Sequence, residues 1–128
     1  HKDFSLQDCS VLIVSHSPLF IEALARLVQN AGACVIGRAA NMEAALVLLK
    51  DHETAAIIVD NANLQQTEWE IVKNLAENVS QYHIIFITAA SNQMTLYHKE
   101  TVTYTTPDNL IRHLCALDLR NTFNLEGE

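Results

Sequence analysis

Short, continuous apolar runs recur along this chain, and each is followed by a segment with helical periodicity. Residues 11–14 are apolar at every position and largely β-branched, and residues 55–59 are again apolar throughout. Residues 34–37 and 83–87 repeat the pattern except at Gly37 and His83. Continuous apolar runs are typical of strands that are covered on both faces, as in parallel sheets. Residues 101–105 form a fifth, weaker strand candidate.

The segments between the strands carry start and stop signals for helices. Ser17 is an N-cap residue followed by Pro18 at the first helical position, and Gly32 is a C-terminal cap after the apolar period. Comparable signals are expected to open the later helices: Asn41, the capping box Thr67-x-x-Glu70, residues 91–99 as a short fourth helix, and Thr106-Pro107.

Strict alternation of strands and helices predicts an α/β fold with right-handed crossovers. The predicted architecture is flavodoxin-like (βα)5, with a five-stranded parallel sheet and helices on both faces. The length of 128 residues is that of one domain. We expect residues 1–10 to be a frayed N-terminal extension, 11–120 the domain, and 121–128 a tail or the start of a linker. Trp69 lies on the apolar side of the third helix and is expected in the core.

Charge and composition exclude several classes of function. The net charge is −7, which disfavours direct binding of nucleic acid or of an anionic membrane surface. Apolar runs are too short for a membrane helix, so we expect a cytoplasmic protein with no membrane partner. The cysteines form no CxxC pair, and the histidines have no metal-ligand spacing.

Polar residues follow the predicted strands, at the edge where ligands bind in parallel α/β sheets. They are Ser15, His16, Asp60, Asn61, Thr88, Ala89, Thr105 and Thr106. On these residues and two longer stretches, 16–24 and 35–46, the chain resembles the response-regulator receiver domain of LuxR/NarL-type transcription factors. The first stretch is similar to the family pattern DHPLFREGL and the second to VVGEAxNGEEAL. The resemblance covers roughly residues 9–120.

The resemblance implies roles for individual positions, and several have lost the expected residue. Asp60 stands at the phosphoacceptor position and Thr88 at the position whose hydroxyl contacts the phosphoryl group. Ser15 and His16 replace the acidic pair that holds Mg²⁺, and Thr106 replaces the lysine. Other departures are Asn63-Leu64 for Met-Pro, Glu68 for the following glycine, and Thr103 for the aromatic switch residue.

These departures predict a degenerate receiver that is independent of phosphorylation, with no catalytic residue, metal or cofactor. Mg²⁺ enters only in the alternative, a phosphorelay receiver that uses Asp60. For Asp60 itself, the competing interpretation is a relic carboxylate with local partners. His16 either pairs with Asp60 or is an exposed loop histidine. A flavodoxin-like cofactor binder ranks last, because the loop at residues 15–18 lacks glycine.

The resemblance also implies partners. We expect a homodimer, contact with a histidine kinase or another signalling protein, and DNA binding only through a helix-turn-helix domain outside this chain. The last helix is apolar beyond one stripe, so Leu110, Ile111 and Cys115 are candidates for a dimer interface. In the alternative, Ile111 packs beneath its own neighbours.

Overall fold

The structure is a computed structural model that describes residues 6, 9–51, 54, 56–62, 64–78, 83–88, 90, 93–96, 101–103 and 106–116. The strands are β1 (Ser10–Val14), β2 (Cys34–Ala39), β3 (Ala56–Asp60), β4 (His83–Thr88), β5 (Gln93–Leu96) and β6 (Thr101–Thr103). The helices are α1 (Pro18–Asn30), α2 (Met42–Asp51), α3 (Gln66–Asn78) and α4 (Pro107–Ala116).

One six-stranded sheet runs through the molecule in the order β2-β1-β3-β4-β5-β6. The first four strands are parallel to one another, which confirms the predicted α/β, flavodoxin-like arrangement. β5 is antiparallel to β4, and β6 is antiparallel to β5. The sheet is therefore mostly parallel, with six strands instead of the five parallel strands predicted, and the fifth predicted strand, at residues 101–105, is the antiparallel β6. β1, β3 and β4 end at the same edge.

The predicted short helix over residues 91–99 is wrong at its centre, where Gln93–Leu96 form β5. Only four residues separate β4 from β5, a connection that suits an antiparallel pair. A parallel crossover needs a dozen or more residues and usually a full helix. Met94 is buried and faces the same core as Ile87, its partner across the strand pair.

Helix capping follows the sequence signals at most positions. The Ser17 hydroxyl accepts the Phe20 N–H at 3.2 Å, and Asn41 Oδ1 accepts the Ala44 N–H at 2.8 Å. Gly32, just past α1, has a φ of 105°, which a side chain would strain. The predicted capping box at Thr67 is displaced, because α3 already begins at Gln66.

Two cores lie on opposite faces of the sheet. On one face, α1 and α4 cover the side chains of β1, β3, β4 and β5 that point toward them. On the other face, α2 and α3 cover Leu12 and Val14 of β1 together with Ile57 and Val59 of β3. This two-sided burial explains why the strand runs are continuously apolar, and it leaves polar side chains at the strand ends.

Three details differ from expectation or fall outside the described residues. Leu6 and Cys9 are buried in the core, so this part of residues 1–10 is packed rather than frayed. Trp69 is 38% exposed and its ring lies 5.1 Å from that of Phe86, at the surface rather than inside the core. The predicted tail at 121–128 lies outside the described residues. Across the described residues, no helix has the length and apolar character needed to cross a membrane.

Candidate functional site

Ser15 and Asp60 meet at the edge where the parallel strands end. Ser15 follows β1, Asp60 is the last residue of β3, and the two strands are neighbours in the sheet. The Ser15 hydroxyl donates to Asp60 Oδ2 at 2.7 Å in a buried environment. The same Ser15 oxygen accepts the Ser17 N–H at 2.9 Å, which fixes the hydroxyl as α1 begins.

The second oxygen of Asp60 also has a donor. Asp60 Oδ1 accepts the Ala62 N–H at 3.1 Å, and the residue is 8% exposed. An aspartate that bonds the backbone two residues ahead forms a common local turn. Asp60, the candidate phosphoacceptor, is therefore a buried carboxylate with a hydrogen-bond donor on each oxygen.

Thr88 is tied to the residue after Asp60. Asn61 Nδ2 donates to Thr88 Oγ1 at 3.2 Å, and the Asn61 N–H donates to the Ile87 carbonyl at 3.0 Å. Asp60 pairs with Ile87 in the strand register, so Thr88 lies one residue beyond that pair. The structure thus brings the two predicted phosphoryl-site residues to adjacent strand ends. Ala89 and Thr105 lie outside the described residues.

His16 contacts a carboxylate other than the predicted one. Its Nε2 lies 3.0 Å from Glu68 Oε1, whereas Asp60 is bonded to Ser15. Of the two alternatives for His16, the pair with Asp60 is therefore wrong, and the exposed loop histidine is confirmed, with Glu68 of α3 as its partner. The His16 side chain is 40% exposed and that of Glu68 only 2%.

Glu68 is the site residue whose role the sequence did not predict. Its Oε1 accepts the Gln65 N–H at 3.1 Å and its Oε2 accepts the Met42 N–H at 3.0 Å. Burial raises the pKa of Glu68, but the hydrogen bonds from Gln65, Met42 and His16 outweigh it, so the pKa lies below its ordinary value. The available signal was a glutamate three residues after the N-cap, here Gln65.

Thr106, at the position of the missing lysine, serves the last helix. Its hydroxyl accepts the Asn109 N–H at 3.0 Å and its carbonyl accepts the Leu110 N–H at 3.0 Å. Thr106 is therefore the N-cap of α4, as the Thr106-Pro107 signal predicted. A threonine carries no charge with which to neutralise a phosphoryl group.

The residues present do not fit a Mg²⁺ ion. Mg²⁺ prefers oxygen ligands, above all carboxylates and water. Here the acidic pair is a hydroxyl and an imidazole, and the Ser15 hydroxyl already uses one Asp60 oxygen. Within the described parts of the chain, no three His, Cys, Asp or Glu side chains are grouped to hold a metal.

The candidate interface residues on α4 are mostly internal. Leu110 and Ile111 point from α4 into the core that α4 shares with α1, and Cys115 is partly buried against that core. Ile111 thus packs beneath its own neighbours, which is the alternative to a dimer contact. The homodimer stays a prediction, and Leu110 and Ile111 are not exposed to supply its interface.

Among the comparisons with known proteins, only the one with solved structures bears on the fold. No protein-family model matches the chain, and no curated protein matches it. Among solved structures, the response regulator PhyR from Brucella abortus has a TM-score of 0.65 at 18% identity, covering 97% of this chain and 52% of that one. The anti-anti-sigma factor PhyR from Bartonella quintana has a TM-score of 0.63 at 24% identity, covering 98% and 52%.

A third similar structure is an isolated receiver domain. The REC domain of RcsB from Salmonella enterica serovar Typhimurium has a TM-score of 0.57 at 15% identity, covering 88% of this chain and 72% of that one. This chain spans about half of the length of the two PhyR proteins. In a structure of two RcsB dimers bound to DNA, the match covers 67% of this chain and 45% of the RcsB chain. The chain has the receiver-domain fold.

Proposed function

We propose that this chain is a degenerate receiver domain that regulates through protein contacts and without phosphoryl transfer to Asp60. The observation that carries the proposal is the state of that carboxylate. Asp60 is buried and accepts one hydrogen bond from Ser15 and one from the Ala62 N–H. A carboxylate that is 8% exposed and accepts one hydrogen bond on each oxygen serves the local structure, and it is poorly presented as a nucleophile.

The surroundings of Asp60 supply little that phosphoryl transfer requires. That reaction depends on positioning and on cations that neutralise the charge of the transferred group. Ser15 and His16 stand where carboxylates would bind Mg²⁺, and Thr106 caps α4 where a lysine would be expected. His16 is directed to Glu68, so its imidazole is not placed beside Asp60.

The proposed partners are proteins. A net charge of −7 disfavours contact with nucleic acid through this domain itself. One similar structure is described as RcsB dimers bound to DNA, and another is an anti-anti-sigma factor. By analogy, we propose a LuxR/NarL-type regulator in which DNA binding belongs to a helix-turn-helix domain outside this chain. A homodimer or a signalling protein such as a histidine kinase is the proposed contact.

A phosphorylatable receiver is the second candidate. The observation that favours it is the placement of Thr88 next to Asp60, with Asn61 bonded to both the Thr88 hydroxyl and the Ile87 carbonyl. An aspartate and a hydroxyl at adjacent strand ends are the two groups that such a receiver keeps.

Beryllofluoride, a mimic of the phosphoryl group, separates the two candidates. Amide NMR spectra of the chain would be recorded with Mg²⁺ alone and with Mg²⁺ plus beryllofluoride, for the wild type and Asp60→Asn. The degenerate receiver predicts no change at the Ala62 and Thr88 amides when beryllofluoride is added. Saturable shifts at both amides in the wild type, absent from Asp60→Asn, would contradict it.

A further inference from the structure

One buried carboxylate joins three separate segments at the strand-end edge. The Glu68 side chain is 2% exposed, and its Oε1 lies 3.0 Å from His16 Nε2. The same oxygen accepts the Gln65 N–H at 3.1 Å, and Oε2 accepts the Met42 N–H at 3.0 Å. In the sequence, Glu68 is 52 residues from His16 and 26 residues from Met42.

The partners of Glu68 are the beginnings of secondary-structure elements. His16 lies in the loop between β1 and α1, Met42 is the first residue of α2, and Gln65 immediately precedes α3. The first N–H groups of a helix lack internal acceptors and carry partial positive charge, so a carboxylate is favoured there. Glu68 supplies a negative charge at the starts of two helices, α2 and α3.

Ordinary helix capping accounts for part of this geometry. A glutamate at the third helical position commonly accepts the N–H of its own N-cap, here Gln65. The bonds to Met42 and His16 extend beyond α3 and connect it to α2 and to the β1–α1 loop. The β1–α1 loop lies beside Asp60, because Ser15 directly precedes His16 and donates to Asp60. The Ser15 N–H also donates to the carbonyl of Ala39, three residues before Met42.

We propose that Glu68 is an internal anionic ligand that holds the β1–α1 loop and the starts of α2 and α3 in one fixed arrangement. The inference deepens the proposed function and rests on it, since a permanently attached anion makes an added phosphoryl group unnecessary for ordering this edge. Glu68 acts through His16, Met42 and Gln65, and is a positioning residue.

The proposal predicts coupling between His16 and Met42, because both residues bond to Glu68. Hydrogen exchange of the Met42 amide would be measured by NMR in the wild type, Glu68→Gln and the matched control Glu70→Gln. Glu70 lies in the same helix and is exposed. A glutamine has one acceptor oxygen and cannot accept from Met42, Gln65 and His16 as a carboxylate does. We expect exchange at Met42 to be about tenfold faster or more in Glu68→Gln and unchanged in Glu70→Gln.

His16→Ala keeps the test informative if Glu68→Gln fails to fold, because the His16 side chain is partly exposed. This variant removes one partner of Glu68, and we expect faster exchange at Met42, because His16 and Met42 both bond to Glu68. In the double variant Glu68→Gln/His16→Ala, the acceleration of exchange at Met42 should fall well short of the product of the two single accelerations.

Unchanged exchange at Met42 in a folded Glu68→Gln or in His16→Ala would overturn the proposal. A double variant whose acceleration equals the product of the two single accelerations would also overturn it. The proposed function is tested separately by beryllofluoride on the wild type. Saturable beryllofluoride shifts with intact coupling would reject phosphorylation independence and retain the Glu68 contacts. If beryllofluoride causes no shifts and the exchange of Met42 is not coupled to Glu68 and His16, phosphorylation independence is retained and the Glu68 proposal is rejected.

Discussion

Asp60→Asn should destabilise this domain, because both carboxylate oxygens accept hydrogen bonds in a buried position. The 2.7 Å bond from Ser15 is short and involves an ionised acceptor. Asparagine has only one side-chain oxygen, so when that oxygen accepts the Ala62 N–H, an NH2 donor faces the Ser15 hydroxyl in place of the acceptor. The loss of one hydrogen bond to a charged group is worth roughly 1.5–3 kcal/mol.

Urea denaturation monitored by circular dichroism measures this loss. With a slope of about 1–3 kcal/mol per molar urea, the midpoint should fall by roughly 1 M. Asp108→Asn is the matched control, since Asp108 is exposed in the first turn of α4 and should cost only about 0.3–1 kcal/mol. In a double-mutant cycle, Ser15→Ala and Asp60→Asn should be coupled by about 1 kcal/mol or more.

The opposite result would refute this account of Asp60. Groups kept for chemistry are often held at a cost in stability, and removing their charge then stabilises the fold. If Asp60→Asn were as stable as the wild type or more stable, Asp60 would not be a structural carboxylate. An additive cycle would show that the bond from Ser15 contributes nothing measurable.

Four further outcomes follow from the packing and the titrating groups. Ile111→Glu should lower the free energy of unfolding by several kcal/mol in urea titrations, since it places a carboxylate in the core. The molecular mass of the folded variant in light scattering should equal that of the wild type. Met94→Ala should cost roughly 2–5 kcal/mol and weaken the β4–β5 cross-strand NOEs; a negligible cost would contradict burial of β5. The pKa of Glu68 is lower when folded, so its stabilisation is present above its ordinary pKa and lost as pH falls through the folded pKa. The stability gap between wild type and Glu68→Gln should therefore shrink below about pH 4.5, and a constant gap would contradict this. Burial, with a smaller effect from a neighbouring thiol, raises the pKa of Cys9 to about 11, so iodoacetamide should label exposed Cys34 and spare Cys9 until the chain unfolds, as peptide mass spectrometry would show.

The fold was predictable because local signals and burial agree in most of the chain. Continuous apolar runs became strands covered on both faces, and Ser17, Asn41 and Thr106 each cap the helix they were expected to open. The exceptions are β5, which was predicted as a helix, and β6, which pairs antiparallel. Periodicity in a segment this short does not distinguish a strand from a helix, and the decisive factor was the short connection from β4.

The site was predictable in its location but only partly in its contacts. Parallel strands place Ser15, Asp60 and Thr88 at one edge whatever their side chains do. The partner of His16 depends on where α3 begins, and helix boundaries are the least certain feature of a sequence. A start at Gln66 instead of after Thr67 brings Glu68 to His16 and leaves Trp69 half-exposed against Phe86.

Incubation with Mg²⁺ and acetyl phosphate, followed by intact mass spectrometry, tests the central claim most directly. The wild type, Asp60→Asn and a receiver with a complete acidic pair would be treated in parallel. Our account predicts that only the complete receiver gains the mass of a phosphoryl group. The same gain in the wild type, abolished in Asp60→Asn, would contradict it and make Asp60 a working phosphoacceptor.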